Sequence, residues 1–468
     1  MFTRHFFFSG GGNAGKLARE QDEGGNRPLD VGLGTALKKA QRTSKTSARH
    51  VSARPTRAWG LWLALALSLA GGARAQEAVR LSLASAEAAE ARRRAAATLG
   101  YYNLKLGPTA WRFGASLGTE WSDNIRLEDQ NPKSDFLFRP EMTARMLWPI
   151  SDKNSINLSL GAGYTAYASY SEYNRFYVRP GSELSFDFYV GDFWINVHDR
   201  FSILEDNYLD PTVVGSADYS RLENAAGLTA LWDLNKILLR AGYDHLNYLS
   251  LNDDTGGQPD GHSDVVSLSA GYAPAAGLLF GVDLGGGLIH YEAGPNQGFE
   301  DASQWNVGLF ADAQISQYIQ MRGSVGYVVF SPEPVPAAPD LDEFSGIYSQ
   351  VALIHRLNEY VTYTLSGGRN VSFTFYGGTI DLYYARLAAS WHLFHKISLN
   401  TSLDYEHGEY LTYGSEKFDR VGPAITFGRR ITEKLSASLG YRFYWRDSNF
   451  PNRDYTVNVV SLRLAYAF

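Results

Sequence analysis

The chain is 468 residues long, with no cysteine, 46 glycines, 29 tyrosines, 25 phenylalanines and 10 tryptophans. The missing thiols exclude a disulfide scaffold and thiolate metal or nucleophile chemistry. No apolar run approaches the roughly 18 residues that a membrane-spanning helix needs. Formal net charge is −6, and it is unevenly distributed.

Residues 1–50 are rich in Gly, Ser, Thr, Lys and Arg and show no hydrophobic period; they read as disordered, or as lying upstream of the true start, which Val51 would supply. Arg54 and Arg57 then precede the apolar stretch Trp59–Ala70, which ends in Ala73-Arg74-Ala75. A basic flank, a short apolar core and an Ala-x-Ala end form a secretory signal peptide over 51–75, cleaved after Ala75. Residues 1–75 hold 12 Lys+Arg and 4 Asp+Glu, which leaves 31 basic and 45 acidic side chains in the exported part. Phosphate contacts need clustered Lys and Arg, so no nucleic-acid partner is expected. Residues 76–107 begin Ala/Glu/Arg-rich, and favour a short periplasmic helix or linker.

From residue 108 to the end the sequence alternates apolar and polar, which is the period of a β-strand. Trp111, Phe113, Ala115, Leu117 and Trp121 share one face, and Arg112, Gly114, Ser116, Gly118 and Glu120 share the other. The polar face is rich in Gly, Ser and charge, while the apolar face carries aromatics towards strand ends. That is the pattern of a transmembrane barrel with its apolar side outward. Trp111 and Trp121, ten residues apart on a tilted strand, lie roughly 25 Å apart along the membrane normal, the height of a lipid-facing band.

Eighteen strands are expected, centred near residues 115, 142, 161, 186, 197, 227, 242, 268, 284, 310, 324, 351, 365, 387, 402, 425, 440 and 462. Tight turns such as Gly191–Asp192 and Asn235–Lys236 alternate with longer loops. The fold class is therefore all-β: an antiparallel up-and-down barrel with short periplasmic turns and longer extracellular loops. Eighteen strands enclose more space than wall side chains fill, so a water-filled bore is expected. No loop exceeds about 16 residues, and 204–219 is the candidate for a small constriction.

The strand phases put Arg112, Arg139, Arg145, Arg200, Arg240, Arg322, Arg386, Arg442 and Arg463 on the lumen side. Glu120, Glu141, Asp187, Asp244, Asp283, Asp312, Asp404 and Glu406 stand across from them as opposed rings of the other sign. Such rings order water and favour polar solutes.

Other motifs fit catalysis poorly. Gly10–Leu17 nearly matches a phosphate loop, but Leu17 lacks the metal-binding hydroxyl and the segment precedes the export signal. Gly114-Ala-Ser116-Leu-Gly118 has nucleophile-elbow spacing, yet falls mid-strand rather than at a strand-to-helix turn. Asp253, Asp254, Asp260 and Asp264 read as an acidic loop, and the Pro-rich 331–344 as a stiff exposed loop or lid. No cofactor and no metal are implied.

The last strand alternates to Leu464, Tyr466 and Phe468, the terminal residue. It resembles the C-terminal assembly signal of bacterial outer-membrane proteins, which implies recognition by the barrel-assembly machinery. Residues 102–125, with their Ser122-Asp123-Asn124 ending, and Val197–Phe201 resemble the outer-membrane β-barrel porins associated with exopolysaccharide clusters. The expectation is an outer-membrane channel, embedded among lipids and lipopolysaccharide, for passive diffusion of small polar solutes or saccharides. A barrel hydrolase acting on lipid or peptide, and a structural or adhesive barrel with an occluded lumen, are the alternatives.

Overall fold

A computed structural model describes residues 102–204, 206–217, 219–251, 260–292, 301–333, 343–373, 379–393, 396–411 and 416–468. The expected leader, signal peptide and most of the linker lie outside the described residues. So do Asp253, Asp254 and most of the Pro-rich loop.

A short strand β1 (Leu104–Leu106) precedes eighteen long ones. These are β2 (Thr109–Ser122), β3 (Asp135–Pro149), β4 (Ser155–Tyr167), β5 (Arg175–Val190), β6 (Phe193–Leu204), β7 (Arg221–Asp233), β8 (Ile237–Ser250), β9 (Asp260–Ala275) and β10 (Leu278–Glu292). They continue as β11 (Ala302–Gln314), β12 (Ile319–Pro332), β13 (Phe344–Arg356), β14 (Val361–Phe373), β15 (Thr379–Leu393), β16 (Ile397–Tyr410), β17 (Lys417–Arg430), β18 (Leu435–Ser448) and β19 (Tyr455–Ala467). Each pairs antiparallel with the next, and β19 pairs back to β2, which closes the barrel. All eighteen expected centres fall inside these strands.

Closure removes the edges that would leave backbone N–H and C=O groups unpaired in lipid. The strands are longer than the 9–11 residues a bilayer requires, so their upper ends rise past the hydrocarbon. Short turns stay tight where positive φ is tolerated: Gly191 has φ 61° and Asn235 has φ 73°.

The burial pattern is that of a soluble protein turned inside out. Leu309 on the outer face is 59% exposed, whereas Asp244 on the inner face is fully buried. Tyr466 and Phe468 are exposed on the outer face, their rings edge to face with centroids 5.3 Å apart.

Three details depart from the expectations. Leu104–Leu106, in the segment expected to be helix or linker, forms a short strand that pairs with Thr109–Trp111. The β19–β2 ladder runs from Ser122 to Gly114, with the Phe468 N–H donating to the Phe113 carbonyl, and β1 pairs with the residues of β2 below it. The β4–β5 and β5–β6 registers shift around Arg179-Pro180-Gly181, a bulge that breaks the two-residue period. Asp260 and Asp264 belong to β9 rather than to a loop, and Asp264 accepts hydrogen bonds from Tyr243 Oη (2.6 Å) and His245 Nδ1 (2.9 Å).

Candidate functional site: the barrel lumen

The connection between β6 and β7 folds into the barrel mouth. Its one tight turn, Asn207–Leu209, brings Tyr208 against β17 and β18. Asp206 meets the Arg139 guanidinium at 2.8 Å. Arg420 on β17 donates to the Tyr208 carbonyl at 3.0 Å. The Tyr208 ring lies 6.4 Å from that of Tyr444 and 5.4 Å from the Arg442 guanidinium. Burial, reinforced by the carboxylates of Asp206 and Glu120, pushes the Tyr208 phenol well above its usual range, so this hydroxyl stays neutral at any physiological pH.

Leu127, Tyr208 and Val214 from two loops pack with Tyr444, Tyr455, Val457 and Val459 on the wall, forming a small apolar core inside the mouth. The wall residues face inward by register. The lumen is thus apolar at this level. The sequence carried the signal: Tyr455, Val457 and Val459 put apolar side chains on the polar phase of the last strand.

The Ser122-Asp123-Asn124 segment holds this arrangement in place. Asp123 accepts from the Asn458 backbone N–H (2.7 Å) and from its side-chain amide (2.6 Å), across the β19–β2 seam. Asn124 donates to the carbonyls of Glu128 (2.8 Å) and Thr456 (3.0 Å), and accepts from the Glu128 N–H (3.0 Å). Leu127 is thereby held at φ 54°, an uncommon conformation for a non-glycine residue, with its side chain fully buried. Its carbonyl accepts from the Gly215 N–H at 3.1 Å, and the Ile125 carbonyl accepts from Asn207 at 2.9 Å. The first loop therefore carries the constriction loop.

All seventeen expected lumen residues share the inward face by register, but they do not form opposed rings. Arg139 lies 3.7 Å from Glu120, Arg200 3.3 Å from Glu183 and 3.8 Å from Asp244, and Arg322 2.8 Å from Asp312. Arg386 pairs with Asp404, and Glu406 pairs with Arg420. Glu141 is shared by Arg463 (2.6 Å), Arg179 (3.2 Å) and the Tyr177 hydroxyl (3.2 Å). Asp187 accepts from Trp194, Asn196 and Asn157. Arg240 faces Leu231 and Ser269 in register, and Arg112 faces Arg145. Adjacent strands stand only about 4.8 Å apart, so a long side chain finds an opposite charge on its neighbour before one across the bore.

Glycines make room for flat-lying side chains. Tyr348 on β13 reaches Asp283 on β10 at 2.9 Å by crossing Gly326 and Gly308. A Cβ at Gly308 would stand 2.1 Å from the Tyr348 hydroxyl.

Several contributors were missed from sequence. Arg179 sits on the bulge. Arg420, Arg446 and Glu416 were legible only as generic inward charge. Arg446 is buried, 2.7 Å from Glu416 and 4.1 Å from the Phe418 ring centroid. Two residues that the hydrolase reading could use are engaged otherwise. His198 has Asn196 at 2.7 Å on Nδ1 and Asp244 at 2.8 Å on Nε2, so neither nitrogen is left to act on a nucleophile. Ser116 lies mid-strand and accepts from Arg463.

No curated protein matches the chain. Among solved structures, Acinetobacter baumannii OccAB3 has a TM-score of 0.45 and 11% identity, covering 76% of this chain and 99% of that one. Pseudomonas aeruginosa OccK2 in complex with glucuronate has a TM-score of 0.46 and 11% identity, covering 78% and 99%. The anion-selective porin from Comamonas acidovorans has a TM-score of 0.39 and 9% identity, covering 77% and 100%. The family model described as "Putative beta-barrel porin 2" matches residues 111–468, the whole closed barrel. The chain belongs to that family, and is an outer-membrane β-barrel channel for small solutes.

Proposed function

We propose that the barrel is a passive pore for small hydrophilic solutes, saccharides among them, gated in size by the loop at 205–220. The observation that carries this reading is that loop, which reaches inward to Arg139 on one side and to Arg420 and Tyr444 on the other. Below it the inward positions of β16–β18 are small and polar: Ser398, Asn400, Ser402, Thr426 and Ser438. Hydroxyl and amide groups exchange hydrogen bonds with hydrated solutes without binding them tightly, which suits diffusion down a gradient. The seventeen inward charges then line the permeation path and set its field.

The rest of the reading concerns how the protein reaches its membrane. The signal peptide over 51–75 directs export, with cleavage after Ala75. The exposed Tyr466 and Phe468 serve as the strand read by the insertion machinery, and the outer face meets phospholipid and lipopolysaccharide. No catalytic step is assigned.

The test is planar-bilayer recording of the purified chain. Stable single-channel steps, reduced by added neutral sugars that fit the bore, are expected. A silent protein that nevertheless folds would overturn the proposal in favour of a structural barrel.

A further inference from the structure

Two aromatic rings stand on the inward face of the β9–β13 wall, outside the apolar core at the mouth. Asp283, Gly308, Gly326 and Tyr348 are successive register partners across β10, β11, β12 and β13. Gly308 is the middle residue of β11, so this row crosses the wall near mid-strand. The Tyr348 side chain runs back along it to donate its hydroxyl to Asp283 at 2.9 Å, and Asn306 Nδ2 stands 3.4 Å from the same hydroxyl. The next inward row lies two residues nearer the short turns. There Phe310 has Gly281 on one side and Ser324, then Gln350, on the other. Its ring leans over β10: a Cβ at Gly281 would stand 2.8 Å from Phe310 Cζ, and one at Gly271 3.3 Å.

Glycine weakens a strand because it brings no side chain to pack; at these positions it leaves room for the two rings to run along the wall. Phe310 and Tyr348 are each half-buried, as are Ser324, Gln350 and Asn306 around them. Asp283 is only 4% exposed, so its carboxylate anchors the Tyr348 hydroxyl instead of facing the bore. The neighbouring exposed charges, Asp312 and Arg322, pair with each other at 2.8 Å. What this stretch of wall offers a solute is therefore two rings bordered by amides and a hydroxyl.

We infer that this stretch of wall is a binding site for a neutral saccharide. A sugar ring is amphipathic, with C–H groups on its faces and hydroxyls around its edge. The negative face of an aromatic ring attracts the weakly positive C–H groups. Amides and a hydroxyl supply both donors and acceptors for the edge. Apolar surface with a few placed polar groups is the ordinary make-up of a small-molecule site. Charge separates this ligand from its rivals. An acidic sugar meets an Arg322 already paired with Asp312, and a quaternary ammonium ion meets a carboxylate that is buried and hydrogen-bonded. The inference rests on the channel reading above and deepens it by naming the class of solute.

The experiment titrates the full purified barrel with maltotriose, sorbitol and tetramethylammonium as separate probes, by isothermal calorimetry in detergent and by current block in planar bilayers. Maltotriose should bind more tightly than sorbitol, which has hydroxyls but no ring, and more tightly than tetramethylammonium. Phe310→Leu keeps an apolar side chain and removes the ring; it should weaken maltotriose binding about fivefold. Tyr348→Leu should weaken it by a similar factor. Each variant is checked for native folding by heat-modifiable gel mobility, and Phe310→Leu, which breaks no hydrogen bond, carries the test if Tyr348→Leu does not fold. Unchanged affinity in folded Phe310→Leu, or sorbitol binding as well as maltotriose, would overturn the inference. Tighter binding of tetramethylammonium would overturn it in favour of a cation site. Maltotriose binding to a barrel that passes no current would support the site and overturn the pore reading alone; a conducting barrel that does not bind maltotriose would overturn the site alone.

Discussion

Asn124 shows how one side chain can set the shape of a lumen. It satisfies two backbone groups of Glu128 and one of Thr456, a residue 332 positions away. Replacing it with alanine leaves those groups without a partner, at a cost on the order of 1–3 kcal/mol. The strain at Leu127 then has nothing to hold it. Asn124→Ala should still insert as a barrel but show noisier, larger single-channel steps, because the loop that carries the constriction loop is loosened. Unchanged current noise would show that the mouth is held by apolar packing alone. The Ser-Asp-Asn segment was legible as a family resemblance; its mechanical role was not, since the partner lies at the other end of the sequence.

A second residue-scale effect concerns pH. Burial works to raise the Glu416 pKa, but the opposing attraction of Arg446, the Ser448 hydroxyl and Arg453 prevails and holds its carboxyl below the ordinary value. A carboxylate depressed in the folded state adds stability above its unfolded pKa and loses it as pH falls through the folded one. Thermal stability should therefore stay flat from neutral pH down to about 4.5 and decline below it. In Glu416→Gln that acid-side decline should be shallower, as measured by melting in detergent across a pH series.

At the scale of elements, the strands were readable because a period of two is local, whereas inward folding of a loop depends on contacts around the barrel. Two features of β5 show the boundary. Its expected centre, residue 186, lies in the regular half, and the bulge at 179–181 shifts the other half out of phase. The constriction loop was singled out by length and composition, yet its reach to Arg420 and Tyr444 follows only from the barrel's curvature. Replacing residues 205–219 with a short turn removes the bar across the mouth. Single-channel conductance should rise about twofold or more, with folding preserved because no ladder hydrogen bond is lost. Equal conductance would place the narrowest point elsewhere in the bore.

The short strand β1 belongs to the same scale. Without it, the backbone of Thr109–Trp111 has no partner on the seam side. Deleting residues 102–106 should cost stability through those exposed groups, seen as a lower melting temperature in detergent, with the pore otherwise unchanged.

For the whole molecule, what fixes everything else is that the first long strand meets the last. Parity of turns and loops made an even strand number legible, and the alternation of apolar and polar residues made the membrane barrel legible. Neither revealed the register of the seam, because nothing local pairs Leu117 with Leu464. In the structure these two residues are direct partners on the outer face. Direct antiparallel partners stand about 4.5–5.5 Å apart at Cα, within the span a disulfide tolerates. The chain has no native cysteine, so Leu117→Cys with Leu464→Cys gives a clean reporter. Oxidation of the folded double variant should yield an intramolecular cross-link that changes its mobility on a denaturing gel, reversibly with reductant. Shifting one partner to Leu462→Cys moves the thiols out of register and should cut the yield sharply. Equal cross-linking in both pairs, or none in either, would mean that the seam is not the fixed junction from which the inward face and the constriction take their positions.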